Sequence, residues 1–245
     1  MTDATQPSRE SAQFSEQVQS MFDRIAGRYD LLNSLMTAGL HHEWRVRAAD
    51  RAEVGPGDAV LDVCCGTGDL TFELARRVSP GGSVVGCDFS EPMLDLAREK
   101  SARAGAESVR FEWADALALP YDDARFDALT VGFGVRNFAD RDRGLREMAR
   151  VLKPGGRLVI LEFTEPRRPP FSTFYSLWFD RIVPVLGRLT PNPEAYSYLA
   201  ESVRGFPDPP GLAQKMDAAG FERIRWLLTA GGILAIHSGV ARGAE

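Results

Sequence analysis

VLDVCCGTGD (residues 60–69) and VVGCDFSE (residues 84–91) are the stretches whose reading decides the fold. The first is an apolar run that ends in a glycine turn, after which Thr67, Gly68 and Asp69 open a helix over residues 70–78. Strand, bare turn and helix in that order frame a nucleotide pocket. Gly66 and Gly68 allow backbone angles that a Cβ disfavours and let a ligand lie against the main chain. Asp88 closes the next apolar run about twenty residues beyond the turn, the separation at which a carboxylate accepts hydrogen bonds from both ribose hydroxyls. An adenosine-like ligand in a Rossmann-like crevice is the expectation.

Charge narrows the choice of ligand. A dinucleotide also uses G-x-G with a downstream acid, but Thr71 takes the third glycine position and Asp62 lies just ahead of the turn, where a carboxylate repels a pyrophosphate. S-adenosylmethionine has no phosphate and carries a sulfonium and an ammonium, so the same Asp62 attracts it. No G-K-S or G-K-T follows Gly66, which excludes a P-loop. Two rival classes use the same fold: a nicotinamide-dependent oxidoreductase, and a module that binds cofactor without turnover.

The 245 residues suit one α/β core with added helices. A net charge of -5 and a pI near 5.4 give no field for nucleic acid, which is not an expected partner. The polar start MTDATQPSRESAQ has no signal-peptide core and no run of about eighteen apolar residues occurs, so a cytoplasmic location is expected. Cys64, Cys65 and Cys87 read as reduced, buried fillers, without C-x-x-C pairs or histidines at metal spacing, and no metal is expected.

Along the chain, residues 1–13 are expected to be a disordered tail. Val18, Met21, Phe22 and Ile25 give helical spacing from Phe14 onward. Tyr29, Asp30, Asn33, His41, His42 and Trp44 crowd the segment before the glycine turn, so residues 14–52 are expected to form a helical cap with a substrate-lid role, buried through Leu31, Leu35 and Leu40. Strands are predicted over 59–63, 84–88, 108–113, 125–132, 157–163, 221–228 and 233–240. A helix over 140–152 should stop at KPGG, with Lys153 near its carbonyl end. The alternation predicts a mostly parallel sheet with helices on both faces and an antiparallel last strand.

Asp115 and Ala116, at the end of the third strand, are placed to meet an adenine edge. Gly132 and Gly134, in GFGVRNFAD, leave room beside a sulfonium, and Arg136 and Asn137 at the same rim are the catalytic candidates. Phe171, Phe174, Tyr175, Trp178 and Phe179, then Ile182, Val183 and Val185, recur at helical intervals in an insertion of about 166–210. A stripe this aromatic makes a core or caps a greasy ring and its tail.

YDLLNSLMTAGLHHEWR (29–45), LDVCCGTGDLT (61–71), GFGVRNFAD (132–140), RVLKPGGRLVILEFT (150–164) and YLAESVRGFPD (198–208) together resemble the demethylmenaquinone and ubiquinone C-methyltransferases of quinone biosynthesis. These belong to the class I S-adenosylmethionine-dependent methyltransferases. The resemblance covers nearly the whole chain and implies a seven-stranded fold, with residues 53–245 as the methyltransferase domain. It implies cofactor contacts at Thr67, Asp88 and the Asp115–Ala116 pair. Departures are Leu32 for methionine, Thr37 and Thr164 for serine, Cys64 and Cys65 for alanine or glycine, and Gly132 for a serine that lines the cofactor site.

The implied reaction is methylation of a ring carbon of demethylmenaquinol. The alternative substrate is the ubiquinone precursor 2-polyprenyl-6-methoxy-1,4-benzoquinol. Arg136 is expected to stabilise the quinolate and Asn137 to orient it, with Tyr29, His41 or a water as proton acceptor. A polyprenyl quinol implies transient contact with the inner membrane surface through helices in 14–40 or 171–189, and a homodimer stands among the expected partners.

Overall fold

The computed structural model describes residues 9–30, 34, 37, 39–106, 108–167, 169–177, 181 and 193–243. Its strands are β1 (Ala59–Val63), β2 (Ser83–Asp88), β3 (Val109–Trp113), β4 (Phe126–Gly132), β5 (Leu152–Phe163), β6 (Phe221–Thr229) and β7 (Leu234–Ala241). They form one seven-stranded sheet in the order β3-β2-β1-β4-β5-β7-β6. β1 pairs in parallel with β2 and β4, and β2 with β3 and β4 with β5 likewise. β7 runs antiparallel to both β5 and β6. The mostly parallel sheet with a reversed last strand is therefore the one expected.

The strand order reverses between β1 and β4, and the crevice outside the carboxyl ends of strands at such a point is where ligands bind in open α/β sheets. β1, β2 and β4 are near-continuous apolar runs because helices cover both faces. On one face Val60, Val84, Ala128, Val159 and Ile236 pack with α2 (Leu40–Arg51), α3 (Asp69–Val78) and α4 (Glu91–Ala104). On the other, Leu61, Val85, Leu129, Leu158 and Ile160 pack with α5 (Arg141–Val151) and α8 (Pro209–Ala218). α1 (Arg9–Ile25), α6 (Phe171–Leu177) and α7 (Pro193–Arg204) complete the helices used below. Asp140 caps α5 through the Arg143 N–H and Asp208 caps α8 through the Gly211 N–H.

Three local expectations change. α1 starts at Arg9, upstream of Phe14. The helix before KPGG stops as expected, with α5 ending at Val151, but β5 begins at Leu152 instead of Arg157, paired with Phe126 across a register shift. Lys153 Nζ accordingly donates to Asp127 Oδ1 at 2.7 Å, away from the helix end. Leu40, expected to bury the cap, is 48% exposed, and Trp44, Ala48 and Ala49 bury α2 in its place. Residues 1–8, Leu31, Leu32, Asn33 and Leu35 lie outside the described residues, as do Trp178, Phe179, Ile182, Val183, Val185 and the Phe174 side chain. Among the described residues no helix is long and apolar enough to cross a membrane.

Candidate functional site

The ends of β1 to β4 open into a cleft of about 990 Å³, solvent at its mouth included. Val63, Cys64 and Gly66 reach it from β1, Asp88 and Phe89 from β2, Ala114 to Leu117 from β3, and Gly132 to Gly134 with Asn137 from β4. α1 covers one side with Ser15, Glu16, Gln19 and Phe22, and Tyr29 follows. Gln19 Nε2 donates to the Phe89 oxygen at 2.7 Å and Ser90 Oγ donates to Asp23 Oδ1 at 2.5 Å, so α1 is fastened just past the end of β2.

Asp88 is the hinge of the arrangement. Its Oδ2 accepts from the Gly66 N–H at 2.9 Å and its Oδ1 from the Ser90 N–H at 3.0 Å. Each oxygen keeps a further acceptor position, which ribose hydroxyls could take. Burial pushes the carboxyl up to about 6. Gly66 has φ +55°, and a Cβ there would meet nothing nearer than Tyr29 Cε1 at 3.8 Å, so the space beside its main chain is open. Asp115 and Ala116 also line the cleft, and Asp115 Oδ1 accepts from the Leu117 N–H.

Other sequence-predicted residues sit elsewhere. Gly68 is absent from the cleft wall; a Cβ on it would lie 2.7 Å from Phe111 Cζ, so glycine is needed there for packing on β3. Asp62 is buried, accepting from Thr71 Oγ1 at 2.7 Å and Thr130 Oγ1 at 2.6 Å, and it too lies off the cleft wall. Burial pushes it up to about 6. The threonine that breaks the dinucleotide pattern is thus one of the two that satisfy Asp62.

Thr67 Oγ1 donates to Asp30 Oδ1 at 2.6 Å and accepts from Lys100 Nζ at 2.9 Å. Lys100 also pairs with Asp30 and Asp69, and Asp69 with Arg45, so the Thr67 hydroxyl belongs to a charged clamp that ties α2, α3 and α4 together behind the cleft. His41 is buried with Nδ1 2.9 Å from Thr37 Oγ1, and burial lowers it to about 4, which keeps it neutral. It does not line the cleft. Ligand atoms of His41, His42 and Asp69 lie within 4.8 Å of one another, but Arg45 and Lys100 already balance Asp69 and would repel a dication.

Arg136, expected at the rim, is buried and off the cleft wall. Its Nη1 donates to Glu162 Oε2 at 2.9 Å and to the Phe133 oxygen at 2.6 Å, and its N–H donates to Glu162 Oε1 at 3.0 Å. The pair is deep: Glu162 is 1% exposed. Sequence reasoning missed Glu162, although a lone acid closing an apolar strand is a visible signal. It also missed Tyr198, whose hydroxyl donates to Asn137 Oδ1 at 3.0 Å. Asn137 and Tyr29 do line the cleft, as expected. Burial raises the thiols of Cys64, Cys65 and Cys87 well above their ordinary range, so they are inert.

The chemistry of the wall is one-sided. Its ionisable carboxylates are Glu16, Asp88 and Asp115, and among the described lining residues there is no Lys, Arg or His. That set suits a cationic nucleoside and offers no positive charge to a pyrophosphate.

Comparisons with known proteins agree. Residues 10–241 match the ubiE/COQ5 methyltransferase family. The demethylmenaquinone methyltransferase of Thermus thermophilus is 50% identical over 89% of this chain and 99% of that protein. The ubiquinone/menaquinone biosynthesis C-methyltransferase UbiE of Teredinibacter turnerae is 42% identical over 94% of this chain and 93% of its own length. Among solved structures, the [4+2]-cyclase SpnF superposes with TM-score 0.69 at 22% identity, over 94% of this chain and 97% of that one. A SAM dependent methyltransferase from Aquifex aeolicus gives TM-score 0.57 at 21% identity, over 76% and 84%.

Proposed function

Because the chain belongs to the ubiE/COQ5 methyltransferase family, we propose that it transfers a methyl group from S-adenosylmethionine to a ring carbon of demethylmenaquinol. The observation that carries this reading is the wall of the cleft at the strand-order reversal, acidic and without a basic side chain among its described residues. Asp88 would hold the ribose, the open main chain at Gly66 would lie beside it, and Asp115 with Ala116 would meet the adenine edge. When bound, the donor supplies an electrophilic methyl group on a sulfonium.

The chain's own residues then act on the quinol. A ring carbon becomes nucleophilic when the neighbouring hydroxyl loses its proton, and a dry pocket favours the meeting of an anion with a cation once the reacting atoms are about 3–3.5 Å apart. Phe133, Phe138 and Leu117 supply apolar wall. Asn137 is the polar group on the β4 loop that faces the cleft, whereas the Arg136 charge is spent on Glu162 and holds that loop in shape. Tyr29 remains a proton acceptor candidate because it lines the cleft; His41 does not.

The 50% identical relative is named for demethylmenaquinone alone, and this supports the menaquinone precursor over the ubiquinone precursor. A second reading, methylation of both rings, draws on the 42% identical relative named for both pathways. The exposed Phe171 and Leu177 of α6 support brief contact with the cytoplasmic face of a membrane, from which such a substrate would be drawn. The test is incubation of the purified protein with isotopically labelled donor and each quinol, followed by mass spectrometry. Label is expected in the menaquinone precursor; label in neither quinol would refute the proposal.

A further inference from the structure

The carboxamide of Asn137 is held from both sides. Its Nδ2 faces the main-chain oxygen of Phe133 at 3.4 Å. A carbonyl oxygen only accepts, so the amide nitrogen must lie on that side. Oδ1 then points the other way, to the Tyr198 hydroxyl 3.0 Å off, and Tyr198 must donate. Burial raises the Tyr198 phenol above its ordinary range, against the opposing pull of Arg136 and Arg141, and keeps its proton in place. Tyr198 stands on α7, inside the insertion, with Ala200 and Val203 of the same helix buried.

The contact with Phe133 is long, and Arg136 Nη1 takes the same oxygen at 2.6 Å. Asn137 therefore has N–H capacity to spare, while Tyr198 takes one lone pair of its oxygen and fixes the direction in which that oxygen points. Asn137 lines the cleft, and its spare N–H is the donor it can offer there.

We propose that Tyr198 is a positioning residue for methyl transfer: its hydroxyl locks the Asn137 amide with N–H toward the cleft, which selects a substrate oxygen that carries negative charge. This rests on the function proposed above and deepens it by fixing the substrate form as a deprotonated quinol. If Tyr198 stops donating, the amide is restrained only by the 3.4 Å contact with a Phe133 oxygen that Arg136 already takes, so it can swing and bring its oxygen toward the cleft, which repels a quinolate. The insertion helix and the β4 loop are thereby coupled through one hydrogen bond between residues 137 and 198.

The experiment compares the parent with Tyr198→Phe, Asn137→Ala and the double variant, measuring kcat and KM for demethylmenaquinol, the dissociation constant for S-adenosylmethionine, and the thermal midpoint. Tyr198→Phe is expected to lose kcat by about tenfold, the weight of one such hydrogen bond, with donor affinity unchanged. Its kcat-against-pH curve should rise at higher pH than the parent's, because the quinolate is less stabilised. The double variant should lose no more than Asn137→Ala alone. Additive losses would overturn the inference, as would unchanged kcat and pH profile in Tyr198→Phe, or a loss of donor affinity parallel to the loss of rate. A parent that binds donor and methylates no quinol removes the functional reading and this inference together; an active parent with additive losses removes only the inference.

Discussion

Asp88 fastens the Gly66 turn and, in the function proposed above, also holds the ribose; stability and donor affinity then respond to its protonation in opposite directions. Its folded-state value of about 6 exceeds the ordinary 3.8, as does that of Asp62, because both are buried. A raised carboxyl contributes stability that is present below the unfolded value and is lost as pH rises through about 6. The parent's stability relative to Asp62→Asn should therefore fall between pH ~4 and ~6 in denaturant titrations. Donor affinity should move the other way, since ribose hydroxyls need the ionised acceptor: it should weaken as pH drops below about 6 and be flat above. Constant affinity through that window would contradict the assignment. Asp88→Asn is expected to cost about 1.5–3 kcal/mol of binding, on the order of ten- to a hundredfold by calorimetry. The place of Asp88 at the cleft was legible from its spacing alone. That of Asp62 was not, because a sequence shows where a charge sits and not which hydroxyls will turn to meet it. Thr71 and Thr130 take both of its oxygens.

The turn after β1 separates its two glycines by consequence. Gly66→Ala meets open space and the strain of φ +55°, about 1–2 kcal/mol. Gly68→Ala adds to comparable strain a clash with Phe111, about 1–3 kcal/mol of overpacking. Thermal unfolding should rank Gly68→Ala as the less stable variant, and the reverse order would mean that the turn can shift off Phe111. α1 offers a kinetic test. Gln19→Ala removes its bond to the Phe89 oxygen, worth about 0.5–1.5 kcal/mol, so donor release in stopped-flow should quicken roughly three- to tenfold. An unchanged release rate would show that α1 does not retain the donor. Strands were readable because buried parallel strands are unbroken apolar runs bounded by turn residues, and β1 falls on its predicted limits. KPGG does stop the helix, but the strand expected from Arg157 already begins at Leu152, because Leu152 pairs with Phe126 and draws KPGG into β5.

For the molecule as a whole, the mostly parallel sheet follows from the alternation of strands with helices and the reversed β7 from the glycine turn before it, whereas the strand order is seen only in the fold. The Arg136–Glu162 pair and the Tyr198–Asn137 bond did not follow, because each joins segments far apart in sequence and becomes visible only when β4, β5 and α7 are side by side. The central claim is that a cleft walled by Glu16, Asp88 and Asp115, free of basic side chains among its described residues, accepts a cationic nucleoside and rejects a pyrophosphate. Titration of S-adenosylmethionine and of NADH into the purified protein in a calorimeter tests it most directly. Saturable heat at one equivalent is expected for S-adenosylmethionine and none for NADH; heat from NADH, or none from S-adenosylmethionine, would show that the cleft does not select by charge.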